Sequence, residues 1–219
     1  MKIVAINGSP RKKGNTAIVL QHVLDGAKAV NAQIETQMLH LYSYQYTGCK
    51  SCFACKLKDG KSYGKCAIKD DITSVLQEVT LSDAVVFGSP IYFSEMTGMM
   101  RSFLERLLFP IFMYTENWDS LAPKKIHTGF VYTMNLTKPL MEEWGYPERF
   151  KKMESVVSGL FGIPSEILYV YNTMQFKDYS KYVCTVFSEE EKKKYQAEQF
   201  PLDCKKAEEM GAKLVKDLQ

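Results

Sequence analysis

The segment that follows the first apolar run constrains this chain most. Ile3-Val4-Ala5-Ile6 is typical of a buried strand, and it leads into a polar, glycine-containing loop, Asn7-Gly8-Ser9-Pro10-Arg11-Lys12-Lys13-Gly14-Asn15-Thr16. A helical pattern begins directly after this loop. A strand, a polar loop and a helix start in this order bring backbone N–H groups and the positive end of the helix dipole to one spot. The segment therefore predicts a phosphate-binding site at the first strand-to-helix turn.

The side chains of this loop suit a phosphate group, and the spacing of its glycines excludes two familiar phosphate loops. Five residues separate Gly8 from Gly14, whereas a Walker A loop has four residues between its glycines and then Lys and Ser or Thr. The dinucleotide fingerprint G-x-G-x-x-G is also absent from the loop. An ordinary polar turn remains the alternative interpretation. The candidate phosphate ligands are Ser9, Arg11, Asn15 and Thr16.

Apolar runs that predict strands alternate with helical patterns along the chain. Strands are predicted at 2–6, 33–41, 84–87, 126–134 and 167–171. Helices are predicted at 15–29, 70–79, 97–108, 140–160 and, with a break near Pro201, 189–218. Such alternation predicts a parallel sheet covered by helices on both faces. Ligands of such sheets bind beyond the carboxyl ends of the strands. Three loops are expected to meet there, at 7–16, 88–97 and 132–137.

The second and third of these loops carry aromatic and small polar residues. Gly88-Ser89-Pro90-Ile91-Tyr92-Phe93-Ser94 offers stacking faces and backbone donors, which a flat isoalloxazine ring requires, and Thr133 ends the next strand, where it would close the other edge of the ring. Burial in the core or in an interface is the alternative for the aromatic pair. The candidate ring-binding residues are Pro90, Ile91, Tyr92, Phe93 and Thr133.

Together these motifs resemble the NADPH-dependent FMN reductase group, and within it the iron–sulfur flavoproteins. The resemblance rests on the two loops above and on Arg101-Ser102-Phe103-Leu104-Glu105-Arg106, and it covers about residues 1–135. It implies an α/β, flavodoxin-like fold with a doubly wound five-stranded parallel sheet in the order 2-1-3-4-5. It also implies bound FMN, with the phosphate on the first loop and the ring on the second, and a homodimer or homotetramer.

Four cysteines lie close together in the sequence. Cys49, Cys52 and Cys55 have the C-x₂-C-x₂-C spacing of ferredoxin-type [4Fe–4S] ligands, and Cys66 is the candidate fourth ligand. Ten residues separate Cys55 from Cys66, a longer gap than the iron–sulfur flavoproteins have, and in this respect the chain departs from their pattern. Zinc sites more often use two separate C-x-x-C pairs. These residues alone are compatible with three interpretations: an iron–sulfur cluster, a zinc ion or free thiols.

Composition and charge argue against several other classes of function. The chain has 219 residues with a net charge of +3 and dispersed basic residues, which does not favour nucleic-acid binding. No apolar stretch reaches the ~18 residues of a membrane helix, and the chain starts directly with a strand, so a cytoplasmic protein is expected. We expect one domain over 1–219, with a cysteine-rich insert at 48–66 and a C-terminal helical extension at 188–219.

The expected function is that of an FMN-dependent oxidoreductase that uses NAD(P)H, with a [4Fe–4S] cluster as a further carrier if the cysteines hold one. No catalytic acid, base or nucleophile is assigned, because the cofactor carries the redox chemistry. The alternatives are a ferredoxin-linked electron-transfer flavoprotein without its own small-molecule substrate, a quinone or nitroaromatic reductase, and a non-enzymatic phosphate- or metal-binding protein.

Overall fold

The computed structural model describes residues 1–218, and these form a parallel sheet with helices on both faces. The strands run in the order β2-β1-β3-β5-β6, all parallel, and the short β4 pairs antiparallel with the end of β3. Without β4, this is the predicted order 2-1-3-4-5, so the predicted fold class is confirmed. The strands are β1 Lys2–Asn7, β2 Glu35–His40, β3 Ala84–Tyr92, β4 Glu95–Met96, β5 His127–Thr133 and β6 Glu166–Val170.

The helices follow the predicted pattern, with one division. Gly145 has a φ of +66°, a left-handed conformation that suits glycine, and it separates α4 from α5 where one helix was predicted. The break predicted near Pro201 in the C-terminal helical region lies at Gln199, one residue before α7 begins. The helices are α1 Asn15–Val30, α2 Thr73–Leu81, α3 Gly98–Ile111, α4 Lys138–Glu143, α5 Tyr146–Phe161, α6 Glu189–Glu198 and α7 Phe200–Lys216.

The core consists of two apolar layers separated by the sheet. Strand β1 shows why both layers exist, because Val4 and Ile6 face one of them while Ile3 and Ala5 face the other. Helices α2, α3 and α5 cover the first face, and α1 and α7 cover the second. Strands buried on both faces are typical of parallel sheets.

Helices α1 and α7 approach each other closely at two glycines. A Cβ atom at Gly211 would lie 1.9 Å from the carbonyl oxygen of Val23, and one at Gly26 would lie 2.0 Å from that of Glu208. Only glycine permits this close backbone contact, which packs α7 against α1. Among residues 1–218, no helix is both long and apolar enough to cross a membrane.

Candidate functional site

The carboxyl ends of the strands form an open cleft of ≈ 130 Å³. The register brings its walls together, since Asn7 pairs with Gly88 and Thr133 pairs with both Pro90 and Val170. The three predicted loops therefore meet there, and a fourth loop after β6 joins them. The lining residues are Ser9, Arg11, Gly14, Asn15, Thr16, Pro90, Ile91, Tyr92, Thr133, Met134, Asn135, Thr173, Met174 and Gln175.

The first wall is the loop between β1 and α1. Asn7 Oδ1 accepts a hydrogen bond from the Ser9 N–H (2.9 Å), and Ser9 Oγ accepts one from the Arg11 N–H (3.1 Å). Gly14 is the N-cap of α1, and within residues 1–218 no side chain caps this helix and no acidic residue lies in its first turn. Because the first N–H groups of a helix have no partner inside it, this end of the cleft offers free donors and a positive dipole to an anion.

Side chains of this first loop also hold the neighbouring walls. Arg11 Nη1 donates to the Gln175 carbonyl at 2.7 Å, and Asn15 Nδ2 donates to the Met174 carbonyl at 3.0 Å. The hydroxyls of Thr16 and Thr133 are 2.7 Å apart and buried. All four predicted phosphate ligands therefore lie in one cleft, and three of them contact the ends of β5 or the loop after β6.

The second wall is the end of β3. Pro90, Ile91 and Tyr92 line the cleft, and partial burial raises the pKa of the Tyr92 hydroxyl above its ordinary value. The structure does not bring Phe93 into the cleft. This residue occupies the tip of the β3–β4 hairpin, fully exposed and with a φ of 49°, because the two central residues of such a tight turn take left-handed conformations.

The third and fourth walls meet at a buried lysine that the sequence analysis missed. The Lys192 side chain in α6 is 0 % exposed, and its Nζ donates to the Asn135 carbonyl (2.9 Å), Asn172 Oδ1 (2.9 Å) and the Thr173 carbonyl (3.4 Å). Burial lowers the pKa of Lys192 to about 8, and the nearby Cys184 and Glu191 oppose that shift. One ammonium group thus joins the two loops that close the cleft.

A buried polar atom without a partner also belongs to this cleft. Within the described part of the chain, the side-chain oxygen Oδ1 of Asn135 is buried and makes no hydrogen bond. Buried polar atoms are nearly always satisfied, so an acceptor left without a donor in a cleft is a feature that a bound ligand would explain. Asn135 lies in the predicted third loop, but nothing in the sequence singled out its side chain.

The four clustered cysteines surround a second, much smaller cavity of ≈ 10 Å³, the room of about one water molecule. Cys66 reaches it despite the ten-residue gap, because the loop between Cys55 and Cys66 folds back on itself, with the Gly64 N–H donating to the Cys55 carbonyl at 3.0 Å. Burial raises the pKa of the Cys55 thiol, and the neighbouring Cys66 and Cys49 add to this rise. In residues 1–218 no three His, Cys, Asp or Glu side chains are grouped closely enough to hold one metal ion.

The fold and the position of the cleft at the carboxyl edge of the sheet place the protein in the class of flavodoxin-like α/β proteins. An NAD(P)H:quinone oxidoreductase from Methanothermobacter marburgensis has the same fold, with a TM-score of 0.70, 13% identity, and coverage of 98% of this chain and 96% of that one. An FMN-dependent NADH-azoreductase from Bacillus anthracis, solved in complex with FMN, superimposes with a TM-score of 0.66 and 14% identity over 98% and 99% of the two chains. Likeness at this identity shows the fold alone.

The family follows from the sequence comparison. The model of the NADPH-dependent FMN reductases matches residues 1–122, and the chain belongs to that family. An iron–sulfur flavoprotein from Archaeoglobus fulgidus is 40% identical over 106 residues, which are 48% of this chain and 48% of that protein. The chain spans about half the length of the curated relatives it matches. The family match ends before β5 begins, so two of the four walls lie outside it.

Proposed function

We propose that the cleft binds FMN and that the protein is an FMN-dependent oxidoreductase that takes electrons from NAD(P)H. The observation that carries this proposal is the uncapped start of α1, which faces a cleft with stacking surface on one wall and the unpartnered Oδ1 of Asn135 on another. Membership of the NADPH-dependent FMN reductase family supports the same ligand.

The donor set at the first wall fits a phosphate monoester. Ser9 and Thr16 supply hydroxyls, Asn15 supplies an amide, and Arg11 supplies a guanidinium that binds phosphate oxygens in pairs. The first N–H groups of α1 add backbone donors at the positive end of the helix. These residues would hold the phosphate of the cofactor.

The opposite part of the cleft fits a planar ring with polar edges. Pro90, Ile91 and Tyr92 offer apolar surface, and Asn135 offers an acceptor that an N–H group of the ring would satisfy. Bound FMN would supply a ring that accepts a hydride from a nicotinamide and passes electrons to an acceptor. The protein residues would bind and orient that ring, and Lys192 would hold the wall that contains Asn135.

Cofactor binding and turnover test this proposal together. Purified protein, stripped of cofactor and titrated with FMN, is expected to bind it and then to oxidise NADPH or NADH with a quinone as acceptor. The double variant Arg11→Ala/Thr16→Val is expected to lose FMN, while Lys28→Ala, an exposed change in the last turn of α1, leaves binding unaltered. A protein that binds no FMN, or a double variant that binds it normally, would overturn the proposal.

A second function, electron transfer through an iron–sulfur cluster, is favoured by the meeting of four cysteines at one cavity. We propose that Cys49, Cys52, Cys55 and Cys66 hold a [4Fe–4S] cluster, in line with the names of the iron–sulfur flavoproteins among the relatives. The thiolate donor set fits such a cluster. The overlapping spacing of Cys49, Cys52 and Cys55, in place of two separate C-x-x-C pairs, favours the cluster over zinc.

The cavity is smaller than a cluster, so the loop that carries the first three cysteines would open outward to admit it. Two features of that loop suit such a movement. Cys52 is exposed, and Ser51 and Phe53 have positive φ values of 51° and 56°, which store backbone strain. The spectrum of protein prepared without oxygen tests the proposal, because flavin bands alone would exclude the cluster, whereas added broad iron–sulfur absorption would support it.

A further inference from the structure

Hydrogen bonds join helix α3 to the cysteine-rich segment at three points, and the one nearest the end of the segment is made by a deeply buried charge. Arg106 is 1 % exposed, and its Nε donates to Cys66 Sγ at 2.9 Å. We infer that Arg106 is the positioning residue of the cysteine site, which holds the fourth cysteine in place across its long gap and stabilises the charge of a cluster bound there. This inference rests on the proposed [4Fe–4S] cluster.

The hydrogen bonds of Arg106 fix the chain on both sides of the cysteines. Its terminal nitrogens donate to both carboxylate oxygens of Asp70 (2.7 and 3.1 Å), to the Thr47 carbonyl (3.1 Å) and to the Ile68 carbonyl (3.4 Å). Thr47 precedes the first cysteine and Ile68 follows the last one. The Arg106 guanidinium on α3 therefore joins the two ends of the cysteine-rich segment.

The other two contact points hold the start and the middle of the same segment. Glu105, the residue before Arg106, accepts a hydrogen bond from the Cys49 N–H at 3.1 Å. Lys56 donates to the carbonyls of Phe109, Pro110 and Phe112 at the C-terminal end of α3, where a cation complements the helix dipole. Cys66 differs from the other cysteines, because its sulfur itself receives the hydrogen bond from this helix.

An N–H group that donates to a ligand sulfur has two physical effects on a cluster. It orients the ligand, and loss of such outer contacts typically costs 10–100-fold in metal affinity. It also stabilises the electron-rich reduced state, because hydrogen bonds to the sulfurs help set the reduction potential. Arg106 adds a positive charge in a buried site, where water screens charge weakly.

The test compares Arg106→Lys with wild type and with Arg149→Lys, the same exchange at an exposed position of α5. Lysine keeps the positive charge beside Asp70 but lacks the Nε–H group that donates to Cys66 Sγ. Each protein is reconstituted without oxygen with ferrous iron and sulfide. The iron content, the rate of iron loss to a chelator, the reduction potential and the FMN content are then measured.

Arg106→Lys is expected to lose its iron ~10–100-fold faster than wild type and to have a lower reduction potential, with unchanged FMN content. Arg149→Lys is expected to match wild type. Equal iron release and equal potential in Arg106→Lys would overturn the inference and leave the cluster proposal standing. Failure of wild type to take up iron and sulfide would overturn the cluster proposal, and the inference with it.

A measurement on the unaltered protein covers the case in which Arg106→Lys does not fold. Protein labelled with ¹⁵N in arginine only is reconstituted and reduced, and pulsed electron paramagnetic resonance then detects any ¹⁵N nucleus hydrogen-bonded to the cluster. A ¹⁵N coupling is expected from Nε of Arg106. A reduced cluster signal without that coupling would overturn the inference.

Discussion

Lys192 is the side chain whose replacement has the most specific consequence for stability. Its ammonium group is 0 % exposed and donates to three oxygen atoms, and burial lowers its pKa to about 8 from 10.5. At pH values between about 8 and 10.5, Lys192 is protonated in the unfolded chain and deprotonated in the native protein. The free energy of unfolding must therefore rise with pH across this window.

The size of this rise follows from the two pKa values. Raising the pH from about 7 to about 9.5 is expected to add about 2 kcal/mol to the free energy of unfolding through Lys192 alone. In Lys192→Met this contribution is absent. The difference between the two pH values should therefore be about 2 kcal/mol smaller in the variant than in wild type.

Urea unfolding of the FMN-free protein at both pH values measures this difference. Lys193→Met is the matched control, because the Lys193 side chain is 65% exposed and pairs with Glu189 on the same helix. This control is expected to keep the pH dependence of wild type. If Lys192→Met kept it too, the ammonium would not be buried in the native protein, and the assignment of Lys192 as the group that joins the two loops would be wrong.

Three further predictions test the packing, the phosphate wall and the cysteines. Gly211→Ala is expected to destabilise the protein by about 3 kcal/mol or more, because the new Cβ would lie 1.9 Å from the Val23 carbonyl oxygen. The control Gly159→Ala, whose Cβ would have no neighbouring atom within 4 Å, should stabilise α5 by up to ~1 kcal/mol. Equal melting temperatures of the two variants would contradict the contact between α1 and α7. Arg11→Ala alone should weaken FMN binding by roughly 1.5–3 kcal/mol, measured by quenching of flavin fluorescence, and undiminished affinity would exclude Arg11 as a phosphate ligand. Cys52→Ser should abolish iron binding and retain FMN, whereas Cys184→Ser, outside the cluster, should leave both unchanged; iron analysis giving the same content in all three proteins would remove the cluster.

The sequence was most informative where local rules and tertiary packing agree. The apolar run Ile3–Ile6 and the polar loop after it predicted both a central strand and the first wall of the cleft, because a buried parallel strand and a helix N-terminus each have a distinct local pattern. The strand order followed from the resemblance to flavodoxin-like proteins, and the structure confirms it.

The parts that sequence reasoning missed depend on contacts between distant segments. Lys192 lies in a charged run that reads as a solvated helix face, and only the folded chain shows that the loops after β5 and β6 surround its ammonium group. Residues 173–175 have no strand or helix pattern of their own, so their place in the cleft follows from the position of β6 at the edge of the sheet. Phe93 illustrates the reverse case, since its place in the motif suggested the cleft and the hairpin turn directs it to solvent.

The central claim is that the start of α1 and the loop before it bind the phosphate of FMN. Titration of cofactor-free protein with FMN and with riboflavin, which has the same ring and no phosphate, tests it directly. Since charge-assisted hydrogen bonds contribute roughly 1.5–3 kcal/mol each, riboflavin is expected to bind at least ~100-fold more weakly than FMN. Equal affinity for the two flavins would contradict the claim.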